Sequence, residues 1–191
     1  MYKQLRVFGG NDSEGGLFDH PWGISLSFKR GLAFVCDWHR VQAFKLDGEF
    51  VRVVCEYGKN GSKGQPTSVL VDDSHDEIFI TDAASAQIQV FELNKMTLVR
   101  SFGSTANLFT PFGMCMDGQG MLYVSNFHGG VAVFTREGTF SRNFGSQGTT
   151  AGQATYTALH RSLPSSLPFL TVRGSCSLLV CIRLKSPRMT S

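Results

Sequence analysis

The sequence predicts an all-β fold made of repeated four-stranded sheets, and two landmarks that recur in register predict it. Proline recurs every 45 residues, at Pro21, Pro66 and Pro111. An aromatic–glycine pair recurs at Phe8-Gly9, Tyr57-Gly58, Phe102-Gly103 and Phe144-Gly145. The chain of 191 residues also holds 21 Gly and 16 Phe, a balance that suits many turns and packed strands. A period of about 40–50 residues with four strands per unit is typical of a β-propeller blade.

Each unit is expected to contain four strands, because short apolar runs alternate with Asp, Ser, Asn and Gly, which favour turns. The strands of the first unit are predicted at Gly23–Phe28, Leu32–Cys36, Arg40–Lys45 and Phe50–Glu56. Those of the second are predicted at Ser68–Val71, Ile78–Thr81, Gln87–Leu93 and Leu98–Phe102. Those of the third are predicted at Gly113–Asp117, Met121–Ser125, Gly130–Thr135 and Phe140–Phe144.

The landmarks predict one repeat region at residues 1–153, with units at about 18–58, 64–103 and 108–145. Segment 4–8 matches the end of each unit, so we expect it to be the outer strand of a preceding blade. The register is lost at Tyr156, where the 45-residue spacing requires proline. About three blades make an incomplete propeller, since rings have four to eight. We expect part of a longer protein; alternatively, two chains complete one ring through their open blade edges.

Residues 154–191 are predicted to be a non-repeat C-terminal tail. They are rich in Ser, Leu, Pro and Arg and contain no acidic residue, so they cannot bury enough apolar surface to offset their ordering entropy. Two simple interpretations are that the segment is disordered, or that a gene-model error has translated sequence beyond the true exon. A third interpretation is a basic arm that binds RNA or acidic lipid.

The net charge of +3 is concentrated in this tail. Five of the 18 basic residues and none of the 15 acidic residues lie beyond residue 150, so residues 1–150 carry a net charge of −2. The basic balance is therefore no argument that the repeat region binds nucleic acid. No apolar run approaches the roughly 18 residues of a membrane span, and the N-terminus lacks a secretory pattern. With five cysteines and no CxxC pair, these features predict a cytoplasmic protein without a membrane partner.

Three strings occupy the same place in successive units: Leu32–Asp37, Glu77–Asp82 and Met121–Asn126. With the prolines and the closing aromatic–glycine pairs, they resemble the NHL repeat from residue 4 to about 153. The resemblance implies a binding scaffold, of a kind often attached to the RING, B-box and coiled-coil segments of ubiquitin ligases, or one that binds single-stranded RNA. The resemblance also implies two enzymatic alternatives, because the family includes a zinc-dependent lyase and similar six-bladed folds include calcium-dependent lactonases.

The most regular polar positions are Asp37, Asp82 and Asn126, which each end the second strand of a unit. A ring of carboxylates that binds a cation or a lactone is one interpretation. We favour a structural role, in which each side chain accepts backbone N–H groups in the following turn, because a fold constraint recurs in every blade whereas a site is normally asymmetric. The other structural repeat positions are Pro21, Pro66, Pro111, Gly58, Gly103 and Gly145.

No catalytic residue, metal site or cofactor is predicted. The sequence contains no G-x-S-x-G elbow, P-loop or paired-carboxylate motif, and its cysteines and histidines lack the spacing of a zinc site. His20, His75 and His128 fall once per unit but at different landmarks, so we do not expect them to converge on one metal. A non-enzymatic protein is expected, with a metal-dependent lyase or lactonase-like hydrolase as the second alternative.

Loops at the two faces of the propeller are the candidate binding positions. Trp22, Trp38, His39 and Arg40 form the most conspicuous aromatic and basic cluster, in which the Trp38 indole can fill a partner's pocket or stack on a base. For Trp22, which follows Pro21, packing between blades is the simpler interpretation. Lys59 and Lys63, on a loop between units, are further candidates, although solvated charge is the simpler interpretation. We predict a protein partner, with single-stranded RNA as the alternative. The acidic balance of residues 1–150 counts against RNA.

Overall fold

The computed structural model describes residue 8 and residues 15–57, 64–127, 130–147 and 153–154. Blade A contains β1 (Gly23–Ser27), β2 (Leu32–Cys36), β3 (Arg40–Lys45) and β4 (Phe50–Glu56). Blade B contains β5 (Pro66–Asp72), β6 (Glu77–Asp82), β7 (Gln87–Glu92) and β8 (Thr97–Phe102). Blade C contains β9 (Pro111–Met116), β10 (Leu122–Asn126), β11 (Val131–Phe134) and β12 (Phe140–Phe144). A short parallel pair follows, formed by β13 (Ser146–Gln147) and β14 (Gln153–Ala154).

Each blade is an antiparallel meander in which strands that follow one another in the chain are neighbours in the sheet. The predicted all-β fold class is confirmed, and every strand predicted within the three units overlaps an observed one. No helix occurs among the residues described above, so none of them provides a helix able to cross a membrane. β5 and β9 begin at Pro66 and Pro111, because the first residue of a strand need not donate to the ladder.

The blades stack side by side around their first strands. β1 contacts β5, and β5 contacts β9, so the three first strands lie next to one another at the inner edge. The fourth strands lie on the outside, where β12 is exposed along its whole length. This arrangement makes the three sheets consecutive blades of a β-propeller.

Strand β6 shows how the blades hold together. Ile78 and Ile80 enter the core shared with blade A, whereas Phe79 enters the core shared with blade C. Successive side chains of a strand point to opposite faces, and all three residues are fully buried. A continuous apolar run is therefore required here, because both faces of the sheet are covered.

The aromatic residue of the aromatic–glycine pair packs against the third strand of the following blade. The contacts are Phe8 with Phe44 (ring centroids 5.5 Å apart), Tyr57 with Gln89 (hydroxyl to Oε1 2.6 Å) and Phe102 with Phe134 (ring centroids 5.5 Å apart). Of the predicted strand 4–8, Phe8 alone lies among the described residues, and it occupies the place that Phe102 takes against blade C. Residues 155–191 of the predicted tail lie outside the described part of the chain.

The hairpin order gives the blades two loop faces. The upper face is built from residues 15–22, 37–40, 56–57, 64–65, 83–86, 103–110, 127 and 130, and the lower face from residues 28–31, 46–49, 73–76, 93–96, 117–121 and 135–139. Ion pairs join neighbouring blades at the lower face: Arg30 binds Asp76 at 2.8 Å, and Arg136 binds Glu77 at 2.6 Å. Hydrogen bonds from Lys29 and Arg30 hold the pKa of the Asp76 carboxyl below its ordinary value. The lower face is thus charged and internally paired.

Candidate functional site

A backbone clamp fixes the upper face of blade A. Asp37 Oδ2 accepts the backbone N–H of Asp19 at 3.2 Å, and the backbone N–H of Trp38 donates to the Asp19 carbonyl at 2.8 Å. Asp37 is buried, and its bond to Asp19 is partly shielded from water. The segment before β1 is thereby tied to the turn after β2, and Trp38 is held at a fixed position.

Blades B and C repeat the clamp. Its members are Asp82, Gln65 and Ala83 in blade B, and Asn126, Phe109, Thr110 and Phe127 in blade C. In blade C the backbone N–H of Phe127 donates to the carbonyl of Thr110 at 3.0 Å, one residue after Phe109. The side-chain oxygen accepts the upstream N–H at 2.8 Å in both blades. Asp82 also accepts the N–H of Ala84 in the following turn, at 3.0 Å. The bond shared by all three blades, however, goes to a donor 17 or 18 residues upstream, outside the turn that the sequence suggested.

The clamp places side chains from equivalent repeat positions on one surface. The residues that follow the clamp acceptors are Trp38, Ala83 and Phe127, and those that follow the repeat prolines are Trp22, Thr67 and Phe112. Blades A and C provide an aromatic residue at both positions, whereas blade B provides a small residue at both. The side chains of the upper face therefore differ from blade to blade, as is normal for a binding site, although the backbone clamp beneath them recurs in every blade.

Four of these rings form a continuous row, which we name the aromatic row: Trp38, Trp22, Phe112 and Phe127. Successive ring centroids lie 6.2, 5.5 and 6.0 Å apart. Trp38 is 39% exposed, and the other three rings are half-buried. Trp22 also packs against the core between blades A and B, which anchors the row to the fold.

Two histidines flank the row at Trp38. The imidazoles of His20 and His39 lie 5.8 and 6.1 Å from the indole, measured between ring centroids. His20 Nδ1 lies 2.5 Å from the Asp19 carboxylate, and His20 and His39 are both exposed. This end of the row therefore combines an apolar ring with polar groups at the rim.

Arg40 points away from solvent. It is 5% exposed, its Nε donates to Asp37 Oδ2 at 3.1 Å, and its Nη2 donates to the carbonyl of Leu17 at 2.9 Å. Within the described residues, the exposed charge of the upper face comes from Asp19 and Glu56. Lys59, Lys63 and Gly58 lie outside the described residues. The described upper face is therefore aromatic and close to neutral.

The titratable groups elsewhere offer no activated nucleophile or metal cluster in the described part of the chain. Burial raises the pKa of the Cys36 and Cys55 thiols to about 12, so both stay protonated at neutral pH. Burial also raises the pKa of the Tyr57 hydroxyl above its ordinary value. No group of three His, Cys, Asp or Glu side chains could hold a metal among these residues, and His128 is not among them.

Sequence reasoning singled out part of this surface. Trp38 and His39 lie on it, and Trp22, interpreted from the sequence as packing between blades, belongs to the row as well. Phe112 and Phe127 were missed. Their signal was available in the repeat, because they occupy the positions of Trp22 and Trp38 one residue after the proline and after the clamp acceptor.

No family model matches the sequence, and no curated protein matches it either. Solved structures do match. A crystal structure of a nidogen/laminin complex aligns at 17% identity with a TM-score of 0.58, covering 66% of this chain and 48% of the matched chain. A putative exported protein of Bacteroides fragilis aligns at 14% identity with a TM-score of 0.58, covering 80% and 45%.

The WD40 repeats of RRP9 align at 13% identity with a TM-score of 0.54, covering 65% of this chain and 38% of the matched chain. The chain thus spans less than half the length of each of these three structures. At such low identity the likeness concerns the fold. Together with the stacked four-stranded sheets, it establishes that the described residues form blades of a β-propeller.

Proposed function

We propose that this chain is a non-enzymatic binding scaffold that contacts a protein partner through the aromatic row. The observation that carries the proposal is the row itself: four adjoining rings on a loop face, with the backbone of its two end rings, Trp38 and Phe127, held by the clamps. Trp and other aromatic residues dominate the energetic centres of protein interfaces, because they bury a large area at a low cost in side-chain entropy. A rigid backbone beneath them reduces the ordering cost of binding further.

Charge favours a protein over RNA as the partner. Binding to nucleic acid depends on Lys and Arg that neutralise phosphates. Arg40, the one arginine in the described upper face, is buried against Asp37, and the exposed charges there are carboxylates. Single-stranded RNA remains the alternative outcome of the tests below, because stacked rings also accept bases.

The solved structures of similar fold are consistent with a protein partner, since one of them is a complex between nidogen and laminin. Two finer parts of the proposal rest on the repeat pattern: NHL-type blades and a place within a larger ubiquitin-ligase-like or regulatory protein. A cytoplasmic location is proposed on a separate ground, the five cysteines without a CxxC pair. We also propose that two copies of the chain can contact each other at blade C. Phe144 would lie in that interface, because it is 47% exposed whereas its counterpart Phe102 packs against the next blade.

A displayed library of random peptides tests the proposal. The purified 191-residue protein is used to select binders, and each binder is titrated against the wild type, Trp38→Ala and the control Leu98→Ala. Leu98 lies in the outer strand β8 and is 55% exposed, so its loss changes apolar surface away from the row. We expect selected peptides to bind Trp38→Ala about fivefold or more weakly, as for a residue central to an interface, and Leu98→Ala normally.

Circular dichroism and urea unfolding verify that both variants keep the wild-type fold. Selection of no saturable binder, or of binders indifferent to Trp38→Ala, would overturn the proposal. Tight binding of a single-stranded oligonucleotide that depends on Trp38 would replace the protein partner with RNA.

A further inference from the structure

We infer that a second copy of this chain docks its blade C on the open face of blade A, the side turned away from blade B, and that Phe8 competes there with Phe144 of the second copy. This inference rests on the part of the proposed function in which two copies contact each other, and it names the surface that meets blade C. Two observations carry it: a repeated core pattern and a repeated position for an aromatic ring.

The same four repeat positions contribute to both of the observed cores between blades. Two of them come from the second and third strands of one blade, and two from the first and second strands of the blade that follows. The members are Phe34, Val41, Val69 and Ile80 between blades A and B, and Phe79, Ile88, Met114 and Val124 between blades B and C. One geometry therefore joins successive blades.

Both halves of this pattern occur once more without a facing blade among the described residues. Ile24 and Val35 pair across β1 and β2 on the open face of blade A, where they line an apolar cavity of about 190 Å³. A cavity of about 150 Å³ already holds a benzene ring. Tyr123 and Val131 are the corresponding residues of the second and third strands of blade C. The pattern therefore places Tyr123 of the second copy at this cavity.

A glycine in the turn between the third and fourth strands receives an aromatic ring from the preceding blade. In blade C, an added Cβ at Gly138 would lie 2.5 Å from Cγ of Phe102, whose ring packs on Phe134 with centroids 5.5 Å apart. In blade A, Gly48 takes the place of Gly138, with φ of +94°, and Phe44 takes the place of Phe134. Blade A thus has the receiving half of the contact that joins blades B and C.

Phe8 occupies this receiving position on blade A. An added Cβ at Gly48 would lie 2.7 Å from Cγ of Phe8, whose ring centroid is 5.5 Å from that of Phe44. Phe144 has the repeat position of Phe102 and is 47% exposed, so its ring is accessible to a second copy. Two rings cannot fill one close-packed position. Phe8 must therefore leave when Phe144 of the second copy enters.

Charge on the two surfaces is complementary. Arg142 in β12 has the repeat position of Arg100 in β8, whose Nη2 donates to the carbonyl of Arg136 in the turn between β11 and β12, at 3.0 Å. The corresponding turn of blade A, residues 46–49, carries the exposed carboxylate of Asp47. Arg142 of the second copy would face this turn, with the modest and salt-dependent stabilisation of an exposed pair.

The repeat pattern favours a second copy as the source of the docking blade. Within the 191 residues the landmarks are lost at Tyr156, where the spacing requires proline, so blade C is followed by no further unit of the same pattern. The contact is head-to-tail, and such contacts give a closed assembly when the rotation completes a ring. Two sets of three blades make six, within the range of four to eight blades. The inferred assembly is a dimer with two identical interfaces.

Sedimentation velocity of the 191-residue protein over a wide range of concentrations tests this inference. Phe144→Glu removes the ring that blade C offers, and Ile24→Glu places a charge in the cavity of blade A, where docking would bury it. We expect a reversible dimer whose affinity falls at least about tenfold in either variant. Phe8→Ala should tighten the dimer about threefold or more, because the competing ring is gone. The control Leu98→Ala should leave it unchanged.

A mixture of variants distinguishes a head-to-tail contact from a contact of blade C with blade C. Ile24→Glu retains an intact blade C, and Phe144→Glu retains an intact blade A. Their equimolar mixture can therefore form a heterodimer with one undamaged interface, which should associate more tightly than either variant alone. Circular dichroism and urea unfolding verify the fold of each variant, and Phe8→Ala tests the face of blade A without placing a charge there.

The outcomes separate this inference from the proposed function. If Phe144→Glu weakens the dimer while Ile24→Glu and Phe8→Ala leave it unchanged, the copies meet through blade C alone, and the inference is wrong while the proposed contact between copies stands. If the wild type and Phe8→Ala both remain monomeric, the proposed contact is wrong as well. Neither result changes the proposal for the aromatic row, which the peptide library tests separately.

Discussion

At the scale of single residues, the clamp acceptors explain why Asp or Asn stands at the end of the second strand, or directly after it, in each of the three blades. Asp37, Asp82 and Asn126 each offer an oxygen to a backbone N–H before the first strand. Asn126 performs this role without charge, so the fold requires an acceptor of the right length rather than a carboxylate. The recurrence is a backbone constraint, and the aromatic row is displayed on top of it.

This account predicts different effects for two substitutions of Asp82. Asp82→Ala removes the acceptor of the Gln65 and Ala84 N–H groups and should lower the free energy of unfolding by about 1–2 kcal/mol, since two partly buried donors lose the acceptor that a buried side chain provides. Asp82→Asn keeps an acceptor oxygen and should cost clearly less. Urea unfolding measures both. Equal losses in the two variants would show that the charge of Asp82, not its geometry, is what the clamp needs.

The same residues show where sequence reasoning ends. Recurrence favoured a structural role for Asp37, but the donor lies 18 residues upstream, and no local rule links the two positions. Arg40 was a candidate for recognition because it follows Trp38 and His39. It is buried, and its Nε donates to the Asp37 carboxylate at 3.1 Å, while its Nη2 donates to the carbonyl of Leu17, 23 residues upstream. Local patterns identify residue types, whereas burial depends on contacts distant in sequence.

At the scale of elements, strands and turns were predictable because they depend on short-range patterns. In β6, a run of apolar residues between turn signals predicted a strand, and burial against two neighbouring blades explains why the run lacks alternation. The packing of Phe102 onto the next blade was not predictable. It depends on the glycine in the turn between β11 and β12, which leaves room for the ring.

Gly138 provides the test of that contact. It has φ of +101°, and an added Cβ would lie 2.5 Å from Cγ of Phe102, at the root of the ring. Gly31 has φ of +65° with no atom within 4 Å of an added Cβ, so Gly31→Ala measures the backbone cost alone. We expect about 1 kcal/mol for Gly31→Ala and at least about 1 kcal/mol more for Gly138→Ala, because the ring must shift and because a φ of +101° lies outside the left-handed region that alanine can enter. Equal losses in urea unfolding would mean that the ring moves freely.

At the scale of the whole molecule, each blade is stabilised by its neighbours. Blade B shares one core with blade A and another with blade C, whereas blades A and C each share one of these cores with it. Stability in such stacked arrays behaves approximately as a sum of unit and interface contributions. The rigidity that a binding face requires is therefore greatest at the centre of the described blades, beneath the middle of the aromatic row.

Hydrogen exchange can test this distribution of stability. We expect the amides of β6 to exchange most slowly, because its residues are almost all buried, and those of β12 to exchange fastest among the strands of the blades, because all its residues are exposed. Phe79→Leu, which removes volume from the core between blades B and C at a cost of about 1–2 kcal/mol, should speed exchange in β10 and β11 more than in β2 and β3. Since Phe79 enters only the core shared with blade C, an equal change in all three blades, measured by mass spectrometry, would contradict the additive picture. It would mean that the blades open together, so that the upper face is rigid only as long as the entire stack remains folded.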